Sequence, residues 1–169
     1  NQQVWLSGYL MANQQSNTST DSVDQHNLDD NTEAMLHEKE PSVEPEARSI
    51  TILYGSESGN AQGLAEIFEQ RLSDIGNDVT LKSMDDFKPK NLKKVEDLFI
   101  ITSTHGEGDP PDNAVELHEY IHGRKAPKLD GVRFSVLALG DQTYEFFCQT
   151  GKDFDNRLAE DRKSTRLNS

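Results

Sequence analysis

The stretch Ile50–Ala61, ITILYGSESGNA, decides how the rest of the chain is read. Ile50–Tyr54 are apolar or β-branched and form a short run suited to a buried strand. Glycine and serine follow, and a helical pattern begins at once. Ala61, Leu64, Ala65, Phe68, Leu72 and Ile75 share one face, and Gly76 stops it. A strand, an anion-sized loop and a helix N-terminus thus follow one another directly.

Working outward, Leu98–Thr102 (LFIIT) and Phe134–Leu139 (FSVLAL) are further apolar runs, the pattern of strands buried on both faces of a parallel sheet. Val79–Ser83 (VTLKS) alternates, as an edge strand does. A second helix is expected after Pro110–Pro111, capped by Asp112 or Asn113 and carrying Val115, Leu117, Tyr120 and Ile121. Alternating strands and helices predict an open, doubly wound α/β sheet. In such sheets ligands bind beyond the carboxyl ends of the strands, where strand order reverses.

Three loops leave strand ends. Gly55–Ala61 offers backbone N–H groups at a helix N-terminus, with Ser56, Ser58 and Asn60 as side-chain donors. Each charge-assisted hydrogen bond contributes roughly 1.5–3 kcal/mol, so five or six hold a phosphate without a cation. The loop has no Lys, which argues against a nucleoside-triphosphate P-loop, and glycines 55, 59 and 63 miss the dinucleotide GxGxxG spacing. A phosphate monoester on a mononucleotide fits better; an ordinary strand-to-helix turn is the alternative. Ser103–Asn113 (STHGEGDPPDN) has glycines around Glu107, which let a planar ligand approach the backbone. Gly140–Gly151 (GDQTYEFFCQTG) puts Tyr144, Phe146 and Phe147 on a loop, as a binding surface would, with one Phe expected to be buried. Together the three loops describe a flavin mononucleotide site.

Formal net charge is −13 over 169 residues. Residues 1–47 hold nine acids and one base, and residues 49–160 twenty acids and twelve bases. That balance argues against a nucleic-acid backbone as partner and fits a basic protein partner, or simple solubility. A single cysteine, Cys148, excludes an internal disulfide framework and suits a reducing cytoplasm. No apolar run approaches the ~20 residues that span a bilayer, and no basic region precedes the first apolar patch as in a secretory signal. In Val4–Met11 (VWLSGYLM), Trp5, Leu6, Tyr9 and Leu10 mark one face of two helical turns, which would need a surface to pack on. The following stretch to Ala47 is polar and acidic, the composition of a flexible tether.

YGSESGNA, TSTHGEGDPPDNAVELH, KAPKLDGVRFSVLALGD and YEFFCQTGKDFD resemble the flavodoxin-like FMN module of the diflavin reductases. WLSGYL near the N-terminus and the FFCQTGKDFD loop favour the branch of the bacterial NADPH-dependent sulfite reductase flavoprotein (alpha) component. The resemblance implies that Ser56, Glu57, Ser58, Gly59, Asn60 and Ala61 cradle the FMN phosphate. Ser103, Thr104, His105 and Gly106 would line the ring and ribityl chain. Leu139, Gly140, Asp141, Gln142, Thr143, Tyr144, Glu145, Phe146, Phe147 and Cys148 would close the other side, with Tyr144 stacked on the ring. Family members take electrons from an NADPH-reduced FAD module on the same polypeptide and pass them to a sirohaem haemoprotein (beta) subunit that reduces sulfite to sulfide. FAD and NADPH are not expected on this chain, which alone would not complete the reaction. Acidic Glu107, Asp109 and Asp141 near the ring would disfavour negative charge there and keep the flavin a strong reductant.

The implied organisation is a short apolar segment over 1–13 that could serve oligomerisation, a disordered acidic linker over 14–47 and a flavodoxin-like domain over 48–160. Residues 161–169 (DRKSTRLNS) resemble nothing in the family. The expected strand order is 2-1-3-4-5, with the fifth strand and last helix missing and Phe134–Leu139 left as an unprotected edge. His105 stands where related reductases carry a stacking Tyr. His118 and His122, four apart, lack a third metal ligand nearby, and Cys148 lacks the His–Asp pair of a nucleophile. Two rival readings are the FMN module of another diflavin reductase and a fragment that binds no flavin.

Overall fold

The computed structural model describes residues 2–8, 47–124, 126–129 and 131–166; the expected linker over 14–47 lies outside these residues but for Ala47. The strands are β1 (Gln2–Gly8), β2 (Ser49–Gly55), β3 (Asp78–Ser83), β4 (Asp97–Ser103) and β5 (Arg133–Asp141). The α-helices are α1 (Asn60–Asp74), α2 (Val115–His122) and α3 (Gln149–Arg166). They build one sheet of order β1-β5-β4-β2-β3. β2 to β5 are mutually parallel and follow the expected 2-1-3-4 order, whereas β1 runs antiparallel to β5.

The continuous apolar runs arise because both sheet faces are covered. Ile50, Ile52, Ile101, Leu137 and Leu139 pack with Ala61 and Ala65 of α1, and Phe68 of α1 lies against Phe99 with ring centroids 6.4 Å apart. Leu53, Leu98, Ile100, Phe134 and Val136 meet Leu117 and Ile121 of α2 and Phe154 and Leu158 of α3 on the opposite face. β3, with one side free, alternates in exposure as an edge strand does. Ile75, assigned by periodicity to the buried face of the first helix, instead lies beyond it and is 71% exposed. At the N-terminal ends of β4 and β5, Asp97 and Arg133 are register partners, and Arg133 Nε and Nη2 donate to the two carboxylate oxygens of Asp97 (Nη2–Oδ2 2.8 Å). This charge-assisted contact satisfies a nearly buried carboxylate.

Two expectations are corrected at the sheet's outer edge. The N-terminal segment is a strand over Gln2–Gly8 where it is described, not two helical turns, and residues 9–11 of the expected helix lie outside the described residues. The edge of β5 is therefore not bare, because β1 pairs along it from Gln2 opposite Asp141 to Gly8 opposite Ser135. The physical reason is backbone satisfaction. An isolated two-turn helix is marginal in water, while an open parallel edge presents unpaired N–H and C=O groups. At the other end, α3 runs past the expected domain end at residue 160 to Arg166.

Among the described residues no three His, Cys, Asp or Glu side chains assemble as a metal site. His118 points from α2 toward α3, its ring edge-on to Phe154 at 5.4 Å and its Nε2 3.7 Å from Asp153. Burial first, and then neighbouring His122, push its pKa below the ordinary histidine value. No helix among the described residues is long and apolar enough to cross a membrane.

Candidate functional site

The site forms where strand order reverses, between β2 and β4, with α1 on one face and α2 and α3 on the other. Glycine at 55 ends β2 because nothing larger fits: a Cβ there would lie 2.8 Å from both Ala114 Cβ and Thr102 Oγ1. The chain then turns through Ser56–Ser58 into Gly59, whose φ of 84° suits glycine, and α1 starts at Asn60. Ser56 Oγ accepts the Ala61 N–H at 3.2 Å. Among the described residues no hydrogen bond takes the N–H groups of Glu57, Ser58, Gly59 or Asn60. They stand at a helix N-terminus with the polarity an anion requires.

The second loop is a closed turn. His105 and Asp109 exchange both backbone hydrogen bonds at 2.8 Å, with Gly106 and Gly108 at positive φ between them. Gly108 faces Phe146 of the third loop so closely that a Cβ would sit 3.1 Å from the Phe146 Cβ. The loop is tied to the start of α3 as well. Thr150 N–H donates to Thr104 Oγ1 at 3.2 Å, and Thr150 Oγ1 donates to the Asp109 carbonyl at 3.0 Å.

The third loop opens with an Asx turn, Asp141 Oδ1 accepting from Thr143 N–H at 2.9 Å and Thr143 Oγ1 at 2.8 Å. Those bonds, the backbone one first, hold the Asp141 carboxyl below the ordinary aspartate pKa. A depressed carboxylate favours the folded loop above the unfolded-state value, and that preference is lost as pH falls through the lowered value. The Asp141 carboxyl carbon, followed by NMR through an acid titration, should therefore move later than an ordinary aspartate. Thr143→Val should bring its midpoint part of the way back; an unmoved midpoint would remove the hydroxyl from the explanation. Further on, Cys148 is buried at φ 55° and donates from Sγ to the Ala138 carbonyl at 3.6 Å. Gly140 leaves room for it, since a Cβ there would lie 2.9 Å from that sulfur.

The three loops wall one open cavity of about 480 Å³, within the usual range of small-molecule sites. Its lining comprises Glu57, Ser58 and Asn60, then Ser103, Thr104, His105 and Gly106, then Leu139, Gly140, Asp141, Tyr144, Phe146, Phe147 and Cys148. Ser56, Gly59, Ala61, Gln142, Thr143 and Glu145, assigned to the site from the resemblance, do not line it. Ser56, Gly59 and Ala61 build the turn beneath it, and Thr143 holds Asp141. Glu107 and Asp109, expected near a bound ring, lie outside the lining too, which leaves Asp141 as the acid of that trio on the cavity. Against the expectation that one phenylalanine is buried, Phe146 is 39% exposed and Phe147 is only partly covered, with Lys152 Nζ 5.4 Å from its ring centre. Tyr144 is 67% exposed at the rim. Ser103 Oγ is buried against the cavity with no hydrogen-bond partner among the described residues.

Asn113 escaped the sequence reading as a site residue. Expected as a helix cap, it makes no cap and instead accepts the Ser56 N–H on Oδ1 at 3.0 Å. Its position after a Pro pair announced a turn but not a partner 57 residues earlier.

A parallel sheet with three strand-end loops around one cavity at the reversal point defines a doubly wound α/β ligand-binding module. The chain belongs to the flavodoxin family, whose family model, described as Flavodoxin, matches residues 52–168. It is 54% identical over 159 residues to the sulfite reductase [NADPH] flavoprotein alpha-component of Bacillus subtilis, covering 94% of this chain and 25% of that one. The component of the same name from Vibrio parahaemolyticus is 52% identical over 113 residues, covering 67% and 18%. The chain thus spans about a quarter or less of the length of these curated relatives. Among solved structures, oxidised Flavodoxin 2 of Bacillus cereus matches with a TM-score of 0.60 at 28% identity, covering 66% of this chain and 75% of that one.

Proposed function

We propose that the chain is an FMN-binding electron-transfer module of a sulfite reductase flavoprotein. The observation that carries the reading is the single cavity joining a cation-free anion loop, a backbone turn of small residues and an aromatic rim. The residues fit the cofactor on two counts. The unpaired N–H groups of 57–60 match a phosphate monoester, and the orphaned Ser103 hydroxyl sits where a polar edge of a ring or ribityl chain could use it. Ser56, Gly59 and Ala61 would hold the loop, Ser58 and Asn60 would contact the phosphate, and Ser103 to Gly106 would run along the ring and chain. Tyr144 would cover the outer face. FMN supplies reversible electron-carrier chemistry when bound. The protein's part is to orient the cofactor and leave one edge accessible, and Asp141, ionised down to low pH, sets a negative field beside it.

Within this proposal the electron donor is an FAD- and NADPH-binding reductase module and the acceptor a sirohaem haemoprotein; the supporting likeness is to sulfite reductase [NADPH] flavoprotein alpha-components. A cytoplasmic setting belongs to it too, supported by a sequence with one cysteine, Cys148, which rules out an internal disulfide. Mixing the purified chain with excess FMN and separating it by gel filtration should leave flavin absorbance in the protein peak at about one per chain. A colourless protein peak would overturn the reading. Electron delivery from the loaded chain to a sulfite reductase haemoprotein, compared with delivery to a haem acceptor of another diflavin system, decides which partner it serves.

A further inference from the structure

Asn113 sits in the 3-10 turn Asp112–Ala114, outside the cavity, yet its amide joins the ends of two strands and the turn after a third. Oδ1 accepts the N–H of Ser56, the first residue after β2. Nδ2 donates to Ser83 Oγ at 3.0 Å, at the end of β3, and that hydroxyl in turn donates to the Asp85 carboxylate. The polarity of the chain is fixed at both ends. A backbone N–H can only donate and an ionised carboxylate can only accept, so the amide has one orientation and the hydroxyl one role. The turn itself is immobilised by Ala114, fully buried against Gly55. Beside it, Asp112 N–H reaches Glu57 Oε2 at 3.4 Å, a second and longer tie to the same loop.

We propose that Asn113 is a positioning residue for the anion loop. By pinning the Ser56 N–H from below, it aims the free N–H groups of Glu57 to Asn60 at one point and so lets the site discriminate phosphorylated from unphosphorylated flavin. This deepens the FMN reading and rests on it. The loop lacks a Lys or Arg that could follow a misplaced phosphate, so selectivity depends on where backbone donors point. Ring contacts come from the other two loops, whose anchors, Thr150 and the His105–Asp109 turn, do not involve Asn113.

The test compares FMN with riboflavin, which lacks the phosphate, on the full chain by quenching of flavin fluorescence. Asn113→Ala should weaken FMN about tenfold, the worth of one hydrogen bond to the loop, and leave riboflavin within about twofold. Ser83→Ala, which removes the amide's second anchor, should give a smaller loss of the same kind. The Ser56 amide, followed by hydrogen exchange in flavin-free protein, should exchange faster in Asn113→Ala. Asn113→Asp, which keeps the acceptor oxygen, should restore its protection. Equal losses for FMN and riboflavin, or an unchanged Ser56 amide, would overturn the proposal. Should the wild-type chain bind neither flavin, the FMN reading fails, and the role in flavin selectivity falls with it. The Ser56 amide comparison then still decides whether Asn113 holds the loop.

Discussion

Phe154→Ala should remove about 3–5 kcal/mol of folding stability, read as a fall in the urea midpoint at unchanged slope. Phe154 heads the fully buried side chains in volume, filling the space between α3, His118 of α2 and the β4–β5 face. Truncation there leaves a cavity beneath α3 into which that helix can shift. That helix begins with Gln149 and Thr150, directly after the buried Cys148, so its displacement should also loosen Thr150 from Thr104. Flavin affinity should therefore fall with stability, for FMN and riboflavin alike. A loss under about 1 kcal/mol would mean that α3 is not packed as described.

The second large effect is electrostatic. Ser58→Asp should weaken FMN by about a hundredfold or more while changing riboflavin little. Ser58 lines the cavity on the loop assigned to the phosphate, and among the described residues the lining holds no Lys or Arg to neutralise an added carboxylate. Two unit charges about 4 Å apart repel by roughly 4 kcal/mol at an effective dielectric of 20, and solvent at this open loop lowers that to about 3 kcal/mol. Raising the salt concentration should recover part of the loss. Equal weakening of both flavins would place the phosphate elsewhere, and unchanged FMN binding would remove the loop from the site.

What the sequence disclosed and what it withheld divide along a physical line. Strands buried on both faces leave a mark in composition, so β2, β4 and β5 were legible from ITILY, LFIIT and FSVLAL. The alternation of VTLKS gave β3 as an edge. Loops at strand ends were legible too, because glycine, serine and exposed aromatics depart from what a core requires. The N-terminal strand was not legible. Its residues satisfy a helical pattern as well as an extended one, and a strand added to an edge is chosen by the partner's open backbone. Asn113 was hidden for a related reason. A side chain's role in a turn is local and readable, whereas a bond to a loop elsewhere in the chain exists only after the strands are aligned. The resemblance named the residues of the three loops as a group. Only the geometry separates Ser58 and Asn60, on the cavity, from Ser56, Gly59 and Ala61, beneath it.

The antiparallel strand at the outer edge also bears on the order of assembly. Of the parallel pairs, β2–β3 and β4–β5 join strands that follow one another in the chain and β2–β4 skips only β3, so each closes a modest length of chain before its contacts form. β1 meets β5 only across on the order of a hundred residues, and the entropy of closing so long a loop must be overcome before a single ladder bond is gained. The cost of closing that loop therefore favours β1 as the last strand to join the sheet. Because Gln2 lies opposite Asp141, where the third loop begins, that pairing ends at the base of the wall that carries Tyr144.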